Sequence, residues 1–274
     1  MIFGYFGLLI MGACLGLLGA GGSILAIPIF IYFFQVPILK STTYSLCIVS
    51  IIAIIAFIKS RKDAALHKAF HFAIPSVLGV FLSRSFILPD LPDSLGPYSI
   101  NKIFICILLI FMYLASYFMI RPLTIISTSK INDKAKPSKL EIVQVNFLGF
   151  FVGIFMGFLG SGGGFLIIPI LTLFLKLNMK QAVPTSLCII AINSCVGFLS
   201  DKTYLDINDY TQLLQFLIFA FMGMVVGMLL NKKIDASKLK TIFGWFIFIV
   251  AFFILVKEFI PLKGSDHKQS IQHP

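Results

Sequence analysis

Long apolar runs separated by short polar loops are the main pattern along this chain. Six of these runs approach or reach the about 20 residues that a helix needs to cross about 30 Å of hydrocarbon. They cover residues 43–58, 69–87, 101–120, 182–199, 211–230 and 239–257. Two longer runs, 1–35 and 142–177, each contain a cluster of glycines. The pattern predicts an all-α fold, a polytopic transmembrane helical bundle with about 8–10 membrane segments and glycine-broken helices.

Composition supports a membrane protein. Of the 274 residues, 58% are hydrophobic and 12% are charged, and the mean hydropathy is +0.99. A formal charge of +11 would suit a nucleic-acid partner, but the Lys and Arg residues lie in short loops and not on one basic face. We therefore expect a lipid bilayer, and no nucleic acid, around a multi-pass protein of the cell (inner) membrane. The cysteines lack metal-binding spacing, so no metal or cofactor is expected.

The two glycine clusters belong to a duplicated sequence. Shifting the chain by 141 residues lays GLLGAGGSILAIPI (16–29) over GFLGSGGGFLIIPI (157–170), and SLCI (45–48) over SLCI (186–189). Fourteen of the 33 positions from 16 to 48 are identical without a gap. Apolar composition alone does not align glycines, prolines, a serine and a cysteine, so we interpret the two halves as an internal repeat.

Loop charges predict how the two halves are oriented. Loops with an excess of Lys and Arg are expected on the cytoplasmic side, and loops with an excess of Asp on the other side. The basic loops are 59–68, 121–141 and 231–240, and the acidic loops are 88–100 and 200–210. Because 59–68 corresponds to 200–210 in the repeat, corresponding loops lie on opposite sides. This predicts an inverted-topology repeat with an odd number of crossings per half and both termini outside.

The expected organisation follows from these boundaries. Residues 1–120 form the first transmembrane repeat, 121–141 a basic cytoplasmic linker, 142–260 the second repeat and 261–274 a polar tail. Three full spans already give the first repeat an odd number of crossings. The run 1–35 must therefore cross twice or return to the side that it entered, and the glycine cluster is the only plausible turning point. Both forms fit the sequence.

The glycine clusters are candidates for a substrate-binding site. Broken helices survive at membrane depth only where protein or a wet cavity surrounds them, and a symmetry-related pair is the best sequence signal for a transporter's site. The candidates are Gly19, Gly21, Gly22 and Ser23 in the first half, and Gly160, Ser161, Gly162, Gly163 and Gly164 in the second. Ser23 or Ser161 would cap the following helix, whose N-terminus favours an anion. Close helix packing is the alternative explanation for the glycines.

A hydroxyl-rich segment follows each break. It reads PILKSTTYSLCI in the first half and MKQAVPTSLCI in the second. We expect these hydroxyls, together with Pro184, to begin the next span, where free N–H groups and extra donors suit an oxyanion. Ser45, Thr185 and Ser186 complete the candidate substrate site. Ordinary helix capping would explain the same residues without a ligand.

Other chemistry has little support in the sequence. All eleven Asp and Glu residues lie in loops or at span ends, so an acidic proton relay inside the membrane is not expected. No HExxH, paired acidic or G-x-S-G protease motif is present, so we expect no catalytic residues. Lys40, Lys176 and Lys180 lie near the breaks, where they would attract an anion or remain solvated. The alternative to a transporter is an intramembrane enzyme or a partner-binding membrane protein without transport activity.

The repeated motif resembles a known family. The pattern G-x-x-G-x-G-G-(S/G)-x-x-x-x-P occurs at 16–28 and again at 157–169, each time followed by (T/Y)-S-L-C. In this doubled form it strongly resembles the sulfite exporter family (TauE/SafE), over nearly the whole chain. The resemblance implies a multi-span transporter of small sulfur-containing anions such as sulfite, thiosulfate or organosulfonates. The residues alone support only a transporter that accepts anions.

Overall fold

The fold is an all-α bundle, as the hydropathy pattern predicts. The computed structural model describes residues 2–19, 22–89, 94–95, 98–120, 139–160, 164–175, 177–203, 205–230 and 236–259. Within these ranges the helices are α1 Ile2–Leu18, α2 Gly22–Phe33, α3 Ile38–Ser60, α4 Leu66–Leu82, α5 Ile100–Ile120, α6 Lys139–Leu159, α7 Gly164–Leu173, α8 Met179–Leu199, α9 Ile207–Leu230 and α10 Ala236–Phe259. Five helices thus fall in each half.

Four short elements complete the described chain. A 3-10 turn, Arg61–Asp63, follows α3, and a π-helical turn, Ser83–Ile87, extends α4. Strands β1 Ser94–Leu95 and β2 Tyr98–Ser99 pair in antiparallel register. The expected tail, 261–274, lies outside the described residues. Residues 121–138 of the expected linker do so as well, and α6 begins at residue 139. The proposed domain boundaries stay a prediction.

Two helices form the centre of the bundle. Over the described residues, the segments long and apolar enough to cross a membrane are Ile38–Asp63, Ala69–Ile87, Lys180–Leu199 and Ile207–Leu230. The first and third, which contain α3 and α8, are 67% and 61% buried inside the protein, against 39% and 33% for the other two. Because α3 and α8 also pack on each other, the two halves meet along this pair.

The first glycine cluster reverses the chain direction. Gly4, near the start of α1, lies against Phe34, just after the end of α2, and Gly22 lies against Leu15. Gly4 and Phe34 are both far from the turn along the chain, and Gly22 and Leu15 are both close to it. Because each pair is in contact, α2 runs back along α1. With 12 residues, α2 is about 18 Å long, well short of the hydrocarbon thickness of about 30 Å. The first half therefore has a short arm that returns alongside α1.

Glycines also set the close packing between the two halves. Helix α1 packs on α9, and α6 packs on α4. A Cβ atom on Gly12 would collide with the carbonyl of Ala220, and one on Gly153 with the carbonyl of Ser76. Small residues allow such close approach of helices where lipid supplies no hydrophobic driving force between them. Since positions 12 and 153 correspond at the offset of 141, the same packing occurs twice.

The corresponding helices α3 and α8 run in opposite directions. Lys40, near the start of α3, donates to Asp209 at 2.9 Å. Asp209 lies in the first turn of α9, the helix that follows α8. Lys180, at the start of α8, pairs with Asp63 at 3.3 Å, directly after α3. Each helix therefore begins beside the end of the other. This antiparallel arrangement supports the inverted repeat, whose orientation in the membrane stays a prediction.

Cysteine labelling tests that orientation. Lys62 and Lys202 are both exposed, in the corresponding segments after α3 and α8. In a background with the native cysteines replaced by alanine, we expect Lys202→Cys in intact cells to react with a membrane-impermeant thiol reagent. Lys62→Cys should react only after permeabilisation, because positive loops stay inside. Equal labelling of the two in intact cells would contradict the inverted topology.

Candidate functional site

Two glycines end the helices at the breaks. Gly19 and Gly160 both have φ of +63°, the left-handed region that glycine adopts without strain. Their N–H groups close the preceding helices by donating to Leu15 O at 3.0 Å and to Met156 O at 2.9 Å. This is the αL form of helix C-cap. Both breaks therefore fall at equivalent residues of the repeat.

Each turn lies against the second helix after the break of the other half, which is α8 for Gly19 and α3 for Gly160. A Cβ atom on Gly19 would meet Val183 of α8, and one on Gly160 would meet Thr42 of α3. Positions 42 and 183 are related by the same offset as the two glycines. The structure thus brings the two breaks to the central α3–α8 pair from opposite halves.

The other predicted glycines have different surroundings. A Cβ atom on Gly22 would collide with the carbonyl of Met11, so this glycine also allows α2 to pack closely on α1. Gly164 begins α7. The remaining predicted residues of the clusters lie outside the described residues: Gly21, Ser161, Gly162 and Gly163.

The hydroxyls do not begin the helices, so that expectation is wrong. Helix α3 follows Pro37, and α8 follows Asn178, whose side chain accepts from the Gln181 N–H at 2.9 Å. Proline needs no N–H partner at a helix start, and asparagine is a good N-cap, so these residues fix the boundaries. The hydroxyls therefore lie further inside, and Thr42 donates to Leu39 O at 2.7 Å. Pro184 lies within α8.

The predicted site hydroxyls fall into two groups. Thr185 accepts from the Ala65 N–H at 2.9 Å, and Ser186 donates to Gly19 O at 3.0 Å, so both join the two halves. Ser23 and Ser45 are fully buried, and their hydroxyls have no hydrogen-bond partner among the described residues. Ser23 therefore does not cap α2. Buried hydroxyls usually find a partner, so these two are free to bind a ligand.

A buried arginine near the second turn was missed by the sequence analysis. The Arg84 side chain, in the π-helical turn, is 0% exposed. Its Nη1 donates to Asp201 Oδ2 at 2.7 Å, while Nε and Nη2 have no partner in the described part of the chain. The signal was present in the sequence, because Arg84 is the charged residue inside the apolar run 69–87. A buried charge without full pairing is costly and therefore points to function.

Asp201 is held by donors on both oxygens. Its Oδ2 also accepts from Thr43 Oγ1 at 2.7 Å, and its Oδ1 accepts from the Thr203 N–H at 3.0 Å and hydroxyl at 2.8 Å. It lies in a loop, as the sequence indicated, yet its side chain is only 4% exposed. Its position is therefore fixed, and it fixes Arg84 in turn.

A second set of polar side chains lies near the start of α3. Asp209 accepts from Lys40 at 2.9 Å and from the hydroxyl of buried Tyr44. The partner of Lys180, Asp63, lies at the other end, where the Lys180 side chain is 79% exposed. Lys176 lies outside the described residues. Ionic contacts between the halves are thus more buried at the start of α3 than at the start of α8.

The unpaired groups near the turns include the Ser23 and Ser45 hydroxyls and the Nε and Nη2 groups of Arg84, all of which can donate a hydrogen bond. Among the described residues there is no group of three His, Cys, Asp or Glu side chains that would hold a metal.

Broken helices at corresponding positions of two halves, buried at the centre of an apolar bundle, define the protein as a multi-pass membrane transporter. Comparison with known proteins agrees. The sequence model of the sulfite exporter TauE/SafE family matches residues 5–260. The chain belongs to this family.

Named relatives carry the same general description. A probable membrane transporter protein of Xylella fastidiosa (strain 9a5c) is 26% identical over 263 residues, which covers 92% of this chain and 94% of the relative. A probable membrane transporter protein of Methanocaldococcus jannaschii is 32% identical over 130 residues, 46% of this chain and 48% of the relative. No solved structure matches the chain.

Proposed function

We propose that this transporter moves a small sulfur-containing oxyanion, such as sulfite, thiosulfate or an organosulfonate, across the cell membrane. The negative charge of the substrate is inferred from the site, whose free groups are donors. The sulfur chemistry is inferred from the family name, sulfite exporter.

The observation that carries the proposal is that each half has a glycine turn packed against the start of the central helix of the other half, Gly19 against α8 and Gly160 against α3. Non-helical backbone leaves peptide groups exposed, which is costly in a membrane unless protein or a ligand satisfies them. Helices α2 and α7 begin directly after the turns, and helix N-termini favour negative charge. Partly desolvated N–H groups at such ends can replace the hydration shell of an anion.

We assign substrate binding to the glycine turns and the neighbouring hydroxyls. The proposed set is Gly19, Gly21, Gly22, Ser23, Ser45, Gly160, Ser161, Gly162, Gly163, Gly164, Thr185 and Ser186. Among the described members of this set, the Ser23 and Ser45 hydroxyls have no hydrogen-bond partner. Gly19 and Gly160 form the turns. Ser186 already bonds to Gly19 O, so it holds the first turn in place, and Thr185 joins the two halves through the Ala65 N–H.

Alternating access follows from the symmetry of these contacts. Each turn belongs to one half and rests on the central helix of the other half. Movement of one half against the other therefore changes both contacts together, opening the site on one side as it closes on the other. The buried ion pairs at the start of α3 then belong to the closed side.

Flux into proteoliposomes tests the proposal. The panel contains sulfite, thiosulfate, a sulfonate, sulfate and acetate, with protein-free liposomes as the blank. We expect saturable flux of at least one sulfur anion and little flux of acetate. Protein that is monodisperse and correctly folded yet moves none of the sulfur anions would contradict the proposal.

A further inference from the structure

We propose that Arg84 binds the charged group of the transported anion through the edge of its guanidinium that carries Nε and Nη2. The inference rests on the proposed function and names the residue that gives that site its preference for anions. Only one nitrogen of Arg84, Nη1, pairs with Asp201, at 2.7 Å. The remaining donors are buried, and within the described ranges they have no partner.

The geometry of the free edge suits an oxyanion. In a planar guanidinium, the Nε–H and one Nη2–H bond point in the same direction, with a spacing that matches two oxygens of one acid group. Asp201 pairs with Nη1, and the Nε and Nη2 donors of this edge have no partner among the described residues. A guanidinium held on one side and free on the other is arranged to receive a second anion.

The free edge faces the second glycine turn. A Cβ atom on Gly160 would lie 2.6 Å from Arg84 Nη2 and 2.7 Å from Thr42 Cα, so only glycine leaves room for the guanidinium. Ser45 lies one helical turn after Thr42, on the same face of α3. Its buried hydroxyl has no partner among the described residues. An anion at this turn would therefore meet both a guanidinium and a free hydroxyl.

The local backbone departs from the repeat at this residue. The Leu88 N–H donates to Ser83 O at 2.8 Å, a π-type hydrogen bond around Arg84. At the offset of 141, the corresponding stretch lies inside the continuous helix α9, and Val225 takes the place of Arg84. Single π-helical turns are rare and occur often at functional sites. The anion-binding charge is therefore supplied by one half only.

Asp201 acts as a positioning residue. It accepts from Thr43 and Thr203 as well as from Arg84, so it cannot swing out without breaking several hydrogen bonds. It neutralises part of the arginine charge when no substrate is bound and keeps the Nε–Nη2 edge turned towards Gly160.

Flux kinetics and thermal stability of variants test the inference. For the anion that the wild type transports, we expect Arg84→Gln to raise KM about 10- to 100-fold, the usual loss for a charge-assisted hydrogen bond. Arg84→Lys keeps the charge without the fork and should give a smaller rise in KM. Lys202→Gln removes an exposed cation next to Asp201 and should leave KM unchanged. The same anion should raise the melting temperature of the wild type and of Lys202→Gln, but not of Arg84→Gln.

The double variant Arg84→Gln/Asp201→Asn separates binding from structure. If the ion pair is merely structural, removing both charges restores stability and KM together. Under the proposal, stability recovers while KM stays high. An unchanged KM in Arg84→Gln, or in Arg84→Lys if the Gln variant does not fold, overturns the inference and leaves the proposed function standing. A wild type with neither flux nor an anion-dependent stability shift overturns both.

Discussion

Alanine in place of Gly160 is expected to lower anion flux more than about tenfold, with the folded protein still present in the membrane. The glycine has φ of +63°, where other residues incur a strain of about 1–3 kcal/mol. The new Cβ would also lie 2.7 Å from Thr42 Cα and 2.6 Å from Arg84 Nη2. Because the backbone of α3 cannot yield, the turn must shift. That shift moves the proposed anion site by about the width of a methyl group, enough to lower flux more than about tenfold.

Gly7→Ala is the matched control. Gly7 lies within α1, and the added methyl would meet side-chain atoms of Ile29 and not backbone, with Cδ1 and Cγ1 at 3.2 Å. Wild-type flux is expected for this variant, since a flexible side chain can move aside. The measurement is the initial rate of anion uptake into proteoliposomes with equal amounts of folded protein. Unchanged flux in Gly160→Ala would remove the second turn from the mechanism.

The internal repeat allowed the backbone part of the site to be predicted from the sequence. Two glycine clusters aligned by one offset located the turning points, and the structure has its left-handed glycines at Gly19 and Gly160. The apolar runs also located the helices, because burial in lipid and in protein requires the same residue types. The start of α3 and α8 was predicted too late, since Pro37 and Asn178 were not recognised as boundary residues.

The charged part of the site could not be predicted in the same way. Arg84 meets Asp201 across 117 positions of sequence, and no local pattern relates two such residues. The 19-residue run that contains Arg84 is still apolar enough for a membrane span, so the mean hydropathy of the run does not single this residue out. Asp201 was assigned correctly to a loop, but burial of that loop depends on packing between the halves. Pairing of distant charges needs the tertiary structure.

Valine in place of Gly153 should prevent most of the protein from folding. Gly153 of α6 lies against the backbone of Ser76 in α4, and an added Cβ would collide with the Ser76 carbonyl and lie 2.8 Å from its Cα. Backbone atoms of a packed helix cannot move aside as a side chain can. The two helices must therefore separate, at a cost of about 1–3 kcal/mol or more. In lipid this cost is not offset, because helix association there depends on close packing.

The equivalent change in the first half tests whether the packing is truly repeated. Gly12→Val would press on the Ala220 carbonyl of α9 in the same way, so a similar loss of folded protein is expected. Gly7→Val serves as the control, since it introduces the same side chain into α1 opposite the Ile29 side chain. The readouts are the monodisperse fraction by size-exclusion chromatography in detergent and the melting temperature. Normal yield and stability for Gly153→Val would show that α4 and α6 are not in close contact, whereas loss in Gly153→Val but not in Gly12→Val would confine the tight packing to one half.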